Sequence, residues 1–570
     1  MKRAVLAGVF VLALAAVLQV WVSHEKGRPL PEGKDQCLSC HAGVEGIEPG
    51  HAALSCAACH LGNRLSTEER VAHLGLVRIP GNAADLDRTC GAAGCHADLP
   101  HRFRENIMTT MSGVVSVERR VFGEPAGTRV SELGHSPADS HQRNLCASCH
   151  LANPKKEAGP LTERSRGGGC NACHLRYSDA ARASLGKKTD HFVHAALSVK
   201  PEPIACFGCH SRSGRVSLNA EGWQEFEGDA GTAELRTLED GRVVRRAVGD
   251  VHTERGLGCV DCHGSWEVMG TGAKVLHRED QSTVQCSDCH TATPMVTTEL
   301  DPESARIAKL EGTEGRRYLT IAKSGVALVN TFVADGGLFL TGKYSGRTVA
   351  LKPPAPACTT HRTLSCGSCH EAWVPQCVSC HTRFDPEGQM YDLLTGEQAP
   401  GSWLEEGGAP LSEPASLGVR LLGDGGTRVE EFAPGMIMTL EQNFHRLFAP
   451  VFAHTVRKEA RACVDCHASP LALGYGRGSL QFDGGWHFTP RFPPRKEDGL
   501  PEDAWIGFLQ TRGIDSTTRE NTRPFTVEEQ RRILTVGACL TCHSAESPPM
   551  RQGLRDFPAV RKRMTSRCRE

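Results

Sequence analysis

Eleven segments of the form Cys-x-x-Cys-His run through the 570-residue chain and take up most of its 26 cysteines. They begin at Cys37, Cys56, Cys146, Cys170, Cys206, Cys259, Cys286, Cys366, Cys377, Cys463 and Cys539. Their second thiols are Cys40, Cys59, Cys149, Cys173, Cys209, Cys262, Cys289, Cys369, Cys380, Cys466 and Cys542. Their closing residues are His41, His60, His150, His174, His210, His263, His290, His370, His381, His467 and His543. A twelfth, irregular copy runs from Cys90 to Cys95 and His96, with four residues between its cysteines. Close cysteine pairs alone fit zinc knuckles or a disulfide framework. The histidine decides against both. With 26 His in 570 residues, chance puts His at about one position in 22, yet it follows every second cysteine of twelve pairs. Zinc sites place their His several residues away. The spacing is that of covalent haem c attachment: two thiols add to the vinyl groups and the adjoining His ligates iron from one face. Cys358 and Cys568 stand outside the array, as free thiols or as a disulfide with each other.

Twelve haems constrain the fold more than any other feature. Hydrophobic residues make up 39% of the chain and aromatic ones 5%, a lean supply for this length. Buried apolar surface stabilises a fold, and here haem faces would supply much of it. With 60 Gly and 32 Pro in addition, the expected fold is mostly irregular. Short α-helices would wrap a haem array, with small β-rich haem-free inserts. Residues 31–300 hold eight motifs and 358–570 hold four. Between them, 301–357 reads as strands at Arg317–Ile321, Val326–Val333 and Gly337–Thr341, with a hairpin turn at Asp335-Gly336-Gly337. A second insert, 382–438, is β-rich around Val419–Glu431, and a shorter one spans 211–250. These inserts are surface elaboration or docking surfaces.

Residues 1–30 indicate export. Lys2 and Arg3 precede an apolar run from Ala4 to Val22 that only Gln19 breaks. This is a secretory signal peptide or an uncleaved N-terminal anchor. Val17 to Val22 carry the run past the cleavage-like Ala13-Leu14-Ala15, and its length suits the hydrocarbon core, so the anchor is favoured. Either way the motifs would lie in the periplasm or cell envelope, where haem c is attached. The formal charge of −1 omits two propionates per haem, so the loaded surface would be acidic and nucleic acid is excluded as a partner.

A haem iron with two protein ligands is an electron carrier, whereas an open one can bind substrate. Thirteen His remain as sixth ligands for twelve irons once His24, beside the apolar run, is set aside. His51, His141 and His361 lie five residues before a motif, His252 seven before, and His277 and His454 nine before. Such positions suit ligation of a neighbouring haem. His73, His101, His191, His194 and His445 are further candidates, several of them on expected helices. Ser66 to Glu69 reads as a capping box ahead of His73, Asp190 as a cap ahead of His191 and His194, and Thr439 with Gln442 as the start of a helix bearing His445. Thr526 to Glu529 opens a helix running into the Cys539 motif. His135 and His487 are left open, and Met269, Met436 and Met438 read as packing residues.

The motif array from Cys37 to His543 resembles that of the multihaem c-type cytochromes of bacterial respiration. The resemblance implies electron transfer in the periplasm, at the outer membrane or in extracellular conduits. Its redox partners would be a quinol-linked or periplasmic donor and a terminal acceptor. Some relatives reduce nitrite, hydroxylamine or tetrathionate, and several of these mark the active haem with Cys-x-x-Cys-Lys; no such segment occurs here. An electron carrier is therefore favoured over a reductase of a small nitrogen or sulfur oxyanion, and over a structural subunit of a filament or porin-bound complex. The four-residue spacer after Cys90 departs from the family pattern.

Overall fold

The computed structural model describes residues 35–41, 44–45, 51, 53–184, 192–212, 214–228, 231–354, 361–376, 381–406, 411–440 and 443–564. The chain divides into two compact units: Met1–Cys209 with His263–Ser282, and His210–Cys262 with Thr283–Glu570.

The first unit is built from short helices and loops. Helix Pro137–Leu145 starts at the cap Ser136 and is tied to helix Ser112–Val121 by a bidentate ion pair, Arg119 to Asp139 at 2.8 and 2.9 Å. Segment 263–282 is sewn to 99–112 by buried polar contacts. Arg102 Nε donates to Gly270 O at 2.6 Å, Asn106 Nδ2 to Val268 O at 2.8 Å and Ser112 Oγ to Val275 O at 2.7 Å. Polar stitching on this scale suits a unit with few large apolar residues, because each buried donor must find an acceptor. Between the Cys146 and Cys170 motifs the chain turns on Gly167, Gly168 and Gly169, all with positive φ. A Cβ at Gly167 would sit 2.4 Å from Asn153 O, so only glycine lets the two strands of this loop meet.

The second unit overturns the expectation of a mostly irregular, haem-wrapped fold. Helix accounts for 29% and strand for 21% of the structure, and this unit contains a six-stranded mixed sheet. Its strands run Gln398–Glu406, His381–Tyr391, Thr427–Leu440, Ser416–Leu421 and Thr522–Arg523 across the sheet, with Asn443–Pro450 also paired to Thr427–Leu440. Only the pairing of His381–Tyr391 with Thr427–Leu440 is parallel. The physical reason is that the scarce aromatic residues are concentrated here. Phe432, Phe448 and Trp505 form one cluster, with the Phe448 and Trp505 rings stacked at 5.0 Å and 6°. Leu417, Val419, Leu473, Tyr475, Ile506 and Leu534 form another. The protein's own side chains thus make this core. Gly418 admits the Trp505 ring, since a Cβ there would lie 2.4 Å from its edge.

Three helix expectations also change. Asn443–Pro450 is a strand, with His445 in register with Met438. His194 follows a two-residue strand, Phe192–Val193, that pairs with Val44–Glu45, and Asp190 and His191 lie outside the described residues. His73 is the C-cap of a single turn, Glu69–Ala72, and the Ser66 hydroxyl bonds Glu68 N, not the expected capping partner Glu69. By contrast, Thr526 and Glu529 form the reciprocal capping box that opens helix Val527–Leu540. The hairpin at Asp335-Gly336 joins Thr331–Ala334 to Gly337–Thr341. No helix among the described residues is long and apolar enough to cross a membrane, and the apolar run 4–22 lies outside them.

Candidate functional site

Most of the motifs fold as a single helical turn. Cys37–Cys40, Cys56–His60, Cys259–Cys262, Cys286–Cys289, Cys366–His370 and Val464–His467 are such turns, and the Cys539 motif ends helix Val527–Leu540. Residues three and four apart share one helix face, so both thiols and the imidazole project to the same side. Serine caps set two of the turns: Ser55 Oγ accepts from Ala57 N at 3.1 Å and Ser365 Oγ from Ser368 N at 3.0 Å. The irregular copy closes differently. His96 N reaches Cys90 O at 3.0 Å across a turn in which Gly94 has φ +85°. The added residues thus loop out while the His returns to the first cysteine. Cys377 and Cys380 lie outside the described residues, as does the side chain of His381.

Four motif histidines face a non-motif histidine. The ring centroids are 6.1 Å apart in His41–His73, His60–His194 and His252–His290, and 6.2 Å apart in His361–His467. Two imidazoles bound to one ion through bonds of about 2.0 Å, each ring centroid about 1.1 Å behind its nitrogen, would stand about 6 Å apart. The residues therefore fit an axially ligated haem. His252 and His361 each face the histidine of a later motif, not that of the motif they immediately precede.

The ring nitrogens are arranged to match. His60 Nδ1 bonds Val77 O at 2.8 Å, His174 Nδ1 bonds Ser198 O at 2.7 Å and His370 Nδ1 bonds Arg457 O at 3.1 Å. In each case the same distant residue also donates its N–H to the motif histidine's carbonyl, at 2.7, 2.8 and 2.9 Å. This two-point clamp fixes ring and backbone together. Nδ1 of His290 and His467 is likewise held, by Lys352 O at 2.8 Å and Ile533 O at 2.9 Å. Among the distal histidines, His194 bonds Ala195 O at 2.6 Å, His454 Phe452 O at 2.8 Å and His252 Asp250 Oδ1 at 3.0 Å. An Nδ1–H held by an oxygen leaves Nε2 with its lone pair outward, the tautomer a metal-ligating His needs. Carboxylates do the same for His263 (Glu267, 2.6 Å) and for buried His141 (Glu118, 3.1 Å). Burial lowers His60 and His467 below the usual imidazole range, and the facing His194 and His361 add to this. Burial pushes His150 down to about 4. Neutral imidazole is the ligating form.

The remaining candidates are dispersed. The hydrogen bond with the Cys170 thiol holds Cys90 below the usual thiol range, with His51 adding a smaller effect in the same direction. His101 packs where a Cβ on Gly272 would come within 2.7 Å, and His277 beside Gly113. His445 is half-buried, while His135 and His487 are exposed. Met438 is fully buried in the sheet and Met269 caps a helical turn. Thiols of separate motifs also meet. Asp35, Cys37 and Cys56 offer donor atoms within 4.8 Å of one another, the only such cluster found among the described residues. Burial, with the Asp35 carboxylate, pushes Cys37 up to about 12. Cys90 meets Cys170, Cys149 meets Cys209 and Cys286 meets Cys366 by thiol hydrogen bonds. Sequence reasoning missed the carbonyl clamps, because backbone oxygens leave no residue signature. Comparison with family models, curated proteins and solved structures finds no match for this chain.

Proposed function

We propose that the chain is a multihaem c-type cytochrome that carries electrons along closely spaced, mostly bis-His haems in an exported respiratory chain. Four motif histidines each facing a non-motif histidine at 6.1–6.2 Å is the observation that carries this reading. Bound haem supplies one-electron chemistry at low potential when both axial ligands are His. The chain's part is to hold it. The paired thiols of each motif attach the macrocycle, and His41, His60, His290 and His467 ligate from the motif side. His73, His194, His252 and His361 ligate from the other, and the Nδ1 clamps keep the rings aimed. Rigid ligation leaves little to rearrange when an electron arrives, which suits a carrier. Redox proteins of the envelope would be its donor and acceptor.

The spin state of the oxidised protein tests this reading. Electron paramagnetic resonance should show low-spin ferric haem throughout. A substantial high-spin signal would place an open iron in the array and favour a reductase.

A further inference from the structure

The loop between the Cys146 and Cys170 motifs buries two cations that no carboxylate contacts. Lys155 is 4% exposed and Arg166 is 7% exposed. Lys155 Nζ donates to the carbonyls of Gly159 and Ser165. Arg166 donates to Ser148 Oγ and, at 3.4 Å, to Gly208 O, while its buried Nε has no partner. Burying a charge without an ion-pair partner is costly, and for Lys155 the Glu157 carboxylate offsets that cost from beyond ion-pair distance. The two residues that Arg166 grips are informative. Ser148 immediately precedes Cys149 and Gly208 immediately precedes Cys209, and these two thiols hydrogen-bond each other. The fields of both cations reach the Cys209 sulfur. Close packing holds the arrangement: a Cβ on Gly208 would meet Pro160 O at 2.2 Å, and one on Gly168 would meet Lys155 Cβ at 2.7 Å.

We infer that Arg166 and Lys155 are positioning cations that raise the reduction potential of the two haems attached through Cys149 and Cys209. This rests on the haem reading proposed above. Reduction adds one negative charge to a haem, and a fixed positive charge beside it in a low-dielectric interior stabilises that form. Within the first unit, electrons would collect at this pair, making it a low-energy stop on the route. The hydrogen bonds to Ser148 and Gly208 give Arg166 a second task, holding the two motifs together, that Lys155 does not share.

Spectroelectrochemical titration of the full-length, haem-loaded protein tests this. In Arg166→Gln and in Lys155→Met, a part of the titration corresponding to two haems should move to lower potential while the rest stays. Arg166→Lys, which keeps the charge, should titrate like the wild type. Unchanged curves in Arg166→Gln and Lys155→Met at full haem count would overturn the inference. So would an Arg166→Lys shift as large as that of Arg166→Gln, because hydrogen bonding and not charge would then be responsible. Should Arg166→Gln lose haem, Lys155→Met decides alone, since it touches no motif residue. A wild-type chain without covalent haem would instead overturn the proposed function, and the count measured beforehand separates the two failures.

Discussion

His194→Ala is expected to turn one low-spin haem high-spin while the number of covalently attached haems stays at the wild-type value. On the proposed reading, attachment would depend on Cys56 and Cys59, whereas the sixth coordination position facing His60 would be filled by His194, whose ring centroid lies 6.1 Å away. Removing the imidazole would then remove a ligand without touching the thioethers. The clamp from Val77 to His60 is also left intact, at 2.8 Å to the ring and 2.7 Å to the carbonyl. The loss should therefore be local, one haem's share of the spectrum, with that haem becoming able to bind cyanide or another small ligand. Electron paramagnetic resonance with haem quantitation checks it. A variant whose spectrum stays low-spin would show that His194 only packs against His60.

The second large effect is on stability against pH, and it centres on Glu431. This residue is 3% exposed on strand Thr427–Leu440, and it accepts from Ser365 Oγ at 2.9 and 2.8 Å. Ser365 is the N-cap of the Cys366 motif helix, and a Cβ at Gly367 would overlap the carboxylate. The sheet thus grips the motif through one buried acid. Burial pushes that acid up from 4.5 to about 7, with Glu430 adding repulsion and Ser365 and Arg461 opposing it. A carboxyl whose folded pKa is raised binds its proton more tightly folded than unfolded. Its contribution is therefore neutral below about pH 4.5, becomes destabilising as pH rises, and levels off above about pH 7. The penalty at the plateau is on the order of 3 kcal/mol. Glu431→Gln keeps an acceptor for Ser365 and removes the charge. Denaturant unfolding should find it more stable than the wild type by that amount at pH 8 and nearly equal near pH 4. A difference between the two proteins that does not change with pH would contradict this account.

What the sequence disclosed follows from which interactions are local. The Cys-x-x-Cys-His repeats stand out in the sequence because the covalent attachment proposed for them would require fixed residues at fixed offsets. The box at Thr526 and Glu529 and the turn at Asp335-Gly336 are legible because capping and positive φ select particular side chains. The strand Asn443–Pro450 was not. Its consecutive Arg446, Leu447 and Phe448 are all buried, so it shows none of the alternation that marks a half-exposed strand. A short apolar run of that kind reads equally as helix. The core built on Trp505, Phe432 and Phe448 was equally hidden, because a 5% aromatic content says nothing about where those residues gather. Pairings such as His361 with His467 and His60 with His194 join residues more than 100 positions apart, so spacing along the chain shows only that a His is available.

The haem count of the exported, full-length protein tests the central claim most directly. Pyridine haemochrome absorbance normalised to protein, together with intact mass, is predicted to give twelve covalently bound haems. Eleven would remove the irregular site at Cys90, Cys95 and His96 and leave the rest standing. A polypeptide of unshifted mass, with its motif thiols free to react with alkylating agent, would contradict the account.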